Sequence, residues 1–180
     1  KIDNNQEHNF KSMKIEKNEC HKIRVEVFVK EQNCNPENEL DEYDESPSCH
    51  HFLALKSSLP IGTIRIHPYP SPTSTTGKIG RLSVLKPYRN MGVGELLLRT
   101  VESFAKSELG FKECMLHGQI FKKEWYEKRG YTAFNEIFIE EGIEHCKMKG
   151  ICLNRKKMNV IKQEVFVQEQ NYDDNEADER

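Results

Sequence analysis

The chain has 180 residues, enough to bury one core with some chain to spare. Its formal net charge of −2 gives no electrostatic case for nucleic acid or an anionic membrane, and no apolar run approaches the ~20 residues of a membrane span. The six cysteines (Cys20, Cys34, Cys49, Cys114, Cys146 and Cys152) include no C-x-x-C pair, so no structural zinc or other metal is expected, and a reducing, cytoplasmic (intracellular) setting is.

The opening stretch KIDNNQEHNFK is polar, lacks the apolar core of a signal peptide, and is expected to fray. Phe10 to Ile15 is predicted as a short first strand. Asn18 then suits the N-cap of a helix from Glu19 to about Val29, with Cys20, Ile23 and Val27 on one face. The acidic segment from Lys30 to Ser48 has two readings. It is a solvated connector, or a lip whose Glu37, Glu39, Asp41, Glu42, Asp44 and Glu45 attract a cationic substrate.

His50 to Leu55 and Ile61 to His67 are apolar, β-rich runs separated by KSSLP, and an antiparallel hairpin is predicted. The adjacent His50 and His51 point to opposite faces of a strand, which makes a poor chelate. After the proline-stiffened loop PYPSPTSTTG, residues 78–85 supply a central strand, ended by Pro87. Arg89-Asn90-Met91-Gly92-Val93-Gly94 opens directly onto a helix whose Val93, Leu96, Leu97, Val101, Phe104 and Ala105 recur at helical spacing, and Gly110 suits its C-terminal cap.

A glycine loop feeding a helix N-terminus offers unpartnered N–H groups and a partial positive charge, with no Cβ atoms to keep a phosphate away. Arg89 adds a formal charge at its entrance, so the expected ligand is a diphosphate. It is neither a P-loop, since Gly94 precedes Glu95 rather than a Lys-Ser or Lys-Thr pair, nor a full G-x-G-x-x-G fingerprint.

Downstream, Glu113 to His117 is predicted as a strand and Phe121 to Arg129 as a short helix ending at Gly130. Tyr131 to Phe134 and Glu136 to Ile139 give a broken strand, Gly142 a turn, and His145 to Ile151 a last strand. The order implies an α+β fold around a mixed sheet. In the tail, the segment from Ile23 to Asn33 reappears from Ile161 to Asn171 with eight of eleven residues identical. Residues 1–152 are therefore expected to form one domain. Residues 153–180 resemble the opening of a second, truncated copy, so that the chain is an excerpt or product of a tandem protein; the alternative is a docking helix of this domain.

Seven signatures stand in order between residues 23 and 149: V-F-V-K-E-Q (27–32), L-D-E-Y-D (40–44), K-I-G-R-L-S-V (78–84), R-N-M-G-V-G (89–94), L-H-G-Q (116–119), W-Y-E-K-R-G-Y (125–131) and F-I-E-E-G-I-E-H-C-K-M (138–148). Together they resemble the GNAT N-acetyltransferase superfamily, and within it the ElaA-like branch. The resemblance implies a mixed, mostly antiparallel twisted sheet flanked by helices, with acetyl-CoA between splayed central strands. It implies main-chain pairing of Leu82, Ser83 and Val84 with the pantetheine arm, and a diphosphate held by main-chain N–H groups of Arg89, Asn90, Met91, Gly92, Val93 and Gly94.

The implied reaction is direct attack of an amine, of a small molecule or a peptide, on the acyl-CoA carbonyl. The attacking ammonium must lose a proton, the oxyanion needs a donor near Val84, and the thiolate needs a proton. Tyr126 matches the family's general acid. Gln119 stands where many relatives have an Asn that binds pantetheine, and Lys122 where an Ala is common. No acid lies on the central strand, so His117 and Glu140, with His145 third, are the candidate bases. The competing expectation is a CoA-binding regulatory module without turnover, within a tandem protein or beside a second GNAT domain or homodimer partner.

Overall fold

The computed structural model describes residues 13–134, 136–152 and 165–170. The first element, α1 (Met13–Arg24), runs on without a break into a π-turned segment, Val25–Glu31. Cys20, Ile23 and Val27 are buried, as the spacing predicts. The described part of the first strand expected at Phe10 to Ile15 is helical. Met13 to Ile15 already belong to α1, where Lys14, Glu16 and Lys17 favour helix over strand, and residues 10–12 lie outside the described residues.

The sheet strands are β1 (His50–Lys56), β2 (Leu59–Pro68), β3 (Thr76–Val84), β4 (Glu113–Gln119), β5 (Thr132–Ala133), β6 (Phe138–Glu140), β7 (Ile143–Ile151) and β8 (Val165–Gln170). Their order is β5-β7-β4-β3-β2-β1-β8, with β6 also on β7. Every pairing is antiparallel except β3 with β4. Helix α2 (Val93–Ser107) makes the crossover between that parallel pair, and the short α3 (Lys123–Glu127) follows β4.

Alternation along the strands divides the side chains cleanly. Phe52, Ile64, Ile66, Ile79, Leu116 and Met148 face α2 and pack on its Leu97, Leu98 and Val101. Each such burial is worth about 1.5–3 kcal/mol. On the opposite face, Leu53 and Leu55 pack under Cys20 and Ile23 of α1. Cys114 and Cys146 are buried, as expected of thiols in strands. Gly110, at φ 67°, follows α2, with the Phe111 N–H returning to the Ala105 carbonyl at 2.8 Å. No helix among the described residues is long and apolar enough to cross a membrane.

Of the expected second copy, only 165–170 are described. Val165–Gln170 is a strand on the outer edge of β1, whereas Val27–Glu31, the matching residues near the N-terminus, are helical. A β-branched and aromatic run such as V-F-V takes either form, and its packing partner decides which.

Candidate active site

The parallel pairing of β3 and β4 runs from Thr76↔Glu113 to Ile79↔Leu116 and stops there, although β3 continues to Val84 and β4 to Gln119. The parting has a local cause. Thr63 pairs with Ser83 and Arg65 with Gly80, so Arg81 and Leu82 together oppose Ile64 alone. Arg81 also sits at φ 56°, a left-handed conformation unusual for a side-chain-bearing residue. This bulge bends β3 away from β4 and opens a wedge that begins at Gly80 and His117.

On the α2 face of the wedge lies the glycine loop. Asn90 and Gly92 are left-handed, at φ 62° and 82°, and the added strain of a side chain at Gly92 explains the glycine there. The first donation into α2 is from Leu96 N–H to the Gly92 carbonyl at 2.9 Å, which leaves the N–H groups of Val93, Gly94 and Glu95 without intrahelical acceptors. A Cβ built at Gly94 would meet Trp125 at 3.7 Å and Val84 at 3.9 Å, so this glycine borders the wedge directly. Glu95 is bound to Arg129 at 2.7 Å, and Arg129 in turn covers the Trp125 ring at 3.9 Å.

Arg89 behaves differently from expectation. Its Nε donates to the Val84 carbonyl at 2.8 Å and its Nη2 to Glu31 at 2.8 Å, so the guanidinium turns back onto the strand and the end of the π-turn instead of into the loop. Tyr126 packs its ring edge against Gly118 of β4, beside Trp125 and Tyr131. Burial raises its phenol above the ordinary tyrosine value, so it stays protonated at neutral pH. Lys122 is exposed, with Nζ 5.7 Å from the Phe121 ring.

The opposite face of the wedge carries the candidate bases. His117 Nδ1 donates to Glu140 at 3.0 Å, and Phe138 holds the imidazole edge-on at 5.0 Å. That hydrogen bond from His117, acting against the cost of burial, lowers the Glu140 carboxyl below its ordinary value. In neutral His117 the second nitrogen, Nε2, is then the acceptor; it is buried and has no hydrogen-bond partner among the described residues. His145 gives its Nδ1–H to the Ile143 carbonyl at 2.9 Å and stacks on Phe138, lying nearer the hairpin turn. His117, Glu140 and His145 are thus brought together, and Tyr126 flanks the wedge from the other side.

The acidic segment is mostly tied down. Arg24, only 2% exposed, bonds the Asp44 carboxylate at 2.7 and 3.0 Å and Glu39 at 2.5 Å. Arg65 makes a fork onto Asp41 at 2.7 and 2.8 Å and also reaches Asp44 at 2.7 Å. Arg81 holds the Asn38 and Glu39 carbonyls at 3.1 and 3.2 Å. Burial alone would raise the Asp44 carboxyl, but Arg24 and Arg65 outweigh it and hold the group well below the usual carboxylate range. Glu39, Asp41 and Asp44 therefore form no free acidic lip. They anchor the segment over β2 and β3, a role that alternation and spacing did not signal.

Three further hydrogen bonds carry that segment across the wedge. Gln119 Nε2 donates to Gln32 Oε1 at 2.9 Å, and Glu141 accepts from the Asn35 N–H at 2.9 Å and the Asn38 amide at 2.6 Å. Gln32 and Glu141 escaped the sequence reading, although both lie within the quoted motifs.

The sequence pattern of the Acetyltransferase (GNAT) family matches residues 17–131. The uncharacterized protein YyaT of Bacillus subtilis is 36% identical over 131 residues, covering 72% of this chain and 85% of its own. Among solved structures, Escherichia coli ElaA superposes with a TM-score of 0.65 at 26% identity, over 73% of this chain and 86% of its own. An acyl-CoA N-acyltransferase from Pseudomonas aeruginosa superposes with a TM-score of 0.63 at 27% identity, over 73% and 87%.

Proposed function

This chain belongs to the GNAT acetyltransferase family, and we propose that it moves an acetyl group from acetyl-CoA to an amine by direct attack. The observation that carries this reading is the wedge itself. It has unpartnered helix N–H groups on one face and a histidine–carboxylate pair on the other.

The N–H groups from Asn90 to Gly94 fit the diphosphate, where the α2 dipole adds to their charge. The open edge of Leu82, Ser83 and Val84 fits the pantetheine amides as an added strand would. The Val84 carbonyl is taken by Arg89, so its N–H remains for that edge or for the oxyanion. Gln119, steadied through its Nε2 by Gln32, keeps its Oε1 for a pantetheine N–H.

The bound donor supplies the activated carbonyl and the thiolate leaving group. The chain's own residues manage the protons. His117 Nε2 takes one from the acceptor ammonium, and Glu140 stabilises the imidazolium through Nδ1. Tyr126, kept as a neutral phenol, gives its proton to the departing sulfur and recovers one from the acylated nitrogen, which sheds its second proton as the intermediate collapses. Calorimetric titration with acetyl-CoA tests the donor half of the reading: saturable one-to-one binding is expected, and no measurable heat or competition by CoA would overturn it.

A further inference from the structure

The part of the sheet face that α1 leaves uncovered is rich in cations. Helix α1 packs on β1, β2 and β3. Beyond it, Lys78 stands opposite His67 and level with Met115 of β4, while Lys147 lies opposite His117 and Lys149 two residues further along β7. In the covering segment, Arg24, Arg65 and Arg81 hold Glu39, Asp41 and Asp44. Glu140 is held by His117.

Lys78 is half-buried. Its Nζ lies 5.0 Å from the centre of the Tyr69 ring, and among the described residues no carboxylate stands at ion-pair distance from it. Loss of solvent lowers its pKa below the ordinary lysine value, with Glu140 pulling the other way. Beside it on the same face, Gly80 leaves a hollow: a Cβ built there would meet nothing within 4 Å. His117 stands across that hollow on β4, one residue past the last paired position, Ile79↔Leu116, where the two strands have begun to part.

We propose that the acceptor amine carries a carboxylate, and that Lys78, at the edge of the Gly80 hollow opposite His117, is the residue that receives it. The proposal rests on the acetyl-transfer reading above and adds the class of acceptor. An amine seated at His117 Nε2 leaves its far end pointing along β3 toward Lys78 and Tyr69. A carboxylate there replaces the water that Lys78 has lost with a charge-assisted hydrogen bond. The gap between Lys78 on β3 and His117 on β4, where the strands begin to part, suits an amino acid whose two charged groups are separated by a few carbons.

The test is a kinetic comparison of β-alanine and γ-aminobutyrate, each against its own amide, which has the same amine but no carboxylate. In the wild type the carboxylate of at least one pair is expected to be preferred by about tenfold or more in kcat/KM. In Lys78→Met that ratio should fall toward one, and in Lys78→Arg it should be largely restored. Comparing ratios between variants cancels the different basicity of each amine. Turnover of these amines by the wild type with no preference for the carboxylate overturns the proposal and leaves acetyl transfer standing. A preference that survives in both Lys78→Met and Lys78→Gln overturns it as well. If no amine is turned over, calorimetry of the same pairs on the CoA-loaded protein replaces the rates, and absence of tighter carboxylate binding again overturns it.

Discussion

His117 and Glu140 come from strands 23 residues apart in sequence and meet in a single 3.0 Å hydrogen bond at the mouth of the wedge. The bond engages Nδ1 and leaves Nε2 as the imidazole nitrogen without a hydrogen-bond partner among the described residues. Replacing His117 with Gln is expected to lower kcat by about 10²–10⁴, the usual contribution of a positioned general base. Glu140→Gln should cost less, because it loosens the imidazolium without removing the base. Initial rates at saturating acetyl-CoA check this order; a His117→Gln enzyme with undiminished kcat would move the base elsewhere, to His145 first.

Tyr126→Phe removes one oxygen and keeps the ring that packs on Gly118 and Tyr131. Turnover should fall by about tenfold or more, while acetyl-CoA affinity stays near wild type, because only the proton donor is lost. Paired kinetics and calorimetry separate the two effects. Unchanged kcat would reduce Tyr126 to packing.

Gly94→Val probes the diphosphate loop. The contacts of a built Cβ, 3.7 and 3.9 Å, are ordinary, so the fold should tolerate the change while the side chain intrudes beside Val84 and Trp125. Loss of acetyl-CoA binding with an unaltered melting profile is the expected outcome. Gly92 is a poorer probe, since at φ 82° any side chain adds backbone strain of about 1–2 kcal/mol.

Asp44 is 1% exposed and receives both Arg24 and Arg65. Asp44→Asn leaves two buried guanidinium groups short of a counter-charge, and a loss of about 3–5 kcal/mol is expected from denaturant unfolding. A loss under about 1 kcal/mol would mean the network is no anchor.

His67 sets a pH dependence of its own. Burial, partly offset by its bond to the Pro68 carbonyl at 2.8 Å, pushes its pKa down to about 4 from an ordinary 6.5. Below pH ~6.5 the unfolded chain therefore binds the extra proton and the folded one does not, so stability falls as pH drops toward 4, by up to about 3 kcal/mol. Asp41 and Asp44, with lowered pKa values, lose their contribution only below the ordinary carboxylate range near ~4. Denaturation midpoints between pH 7 and 4 should slope for the wild type and flatten for His67→Gln.

Much of this site was legible because it is local. The strand, glycine loop and helix from Lys78 to Gly110 announce themselves by β-branching, Pro87, glycines and helical period, and they fold accordingly. His117 and Glu140 are candidate bases because the central strand carries no acid; their meeting depends on the register of β4 with β7 and of β6 with β7, which no local pattern specifies. The acidic segment allows two readings, connector or lip, for the same reason. Its charge is visible in sequence, but Arg24, Arg65 and Arg81, which bind its Glu39, Asp41 and Asp44, lie on α1, β2 and β3. Arg89 stands at the loop, but its side chain is claimed by the nearby Val84 carbonyl and by Glu31, which is distant in sequence, and not by the ligand as expected. V-F-V-x-E-Q, helical at one end of the chain and a strand at the other, marks the limit of local propensity.

The central claim, that acetyl leaves CoA for an amine in the wedge, is tested most directly by following free thiol and N-acetylated product together. Wild-type protein with acetyl-CoA and a panel of amines, carboxylate-bearing ones included, should release CoA and form product in equal amounts, faster than the buffer reaction. In His117→Gln both should fall in parallel. Saturable acetyl-CoA binding with no product from any amine would contradict the claim and leave a CoA-binding module in its place.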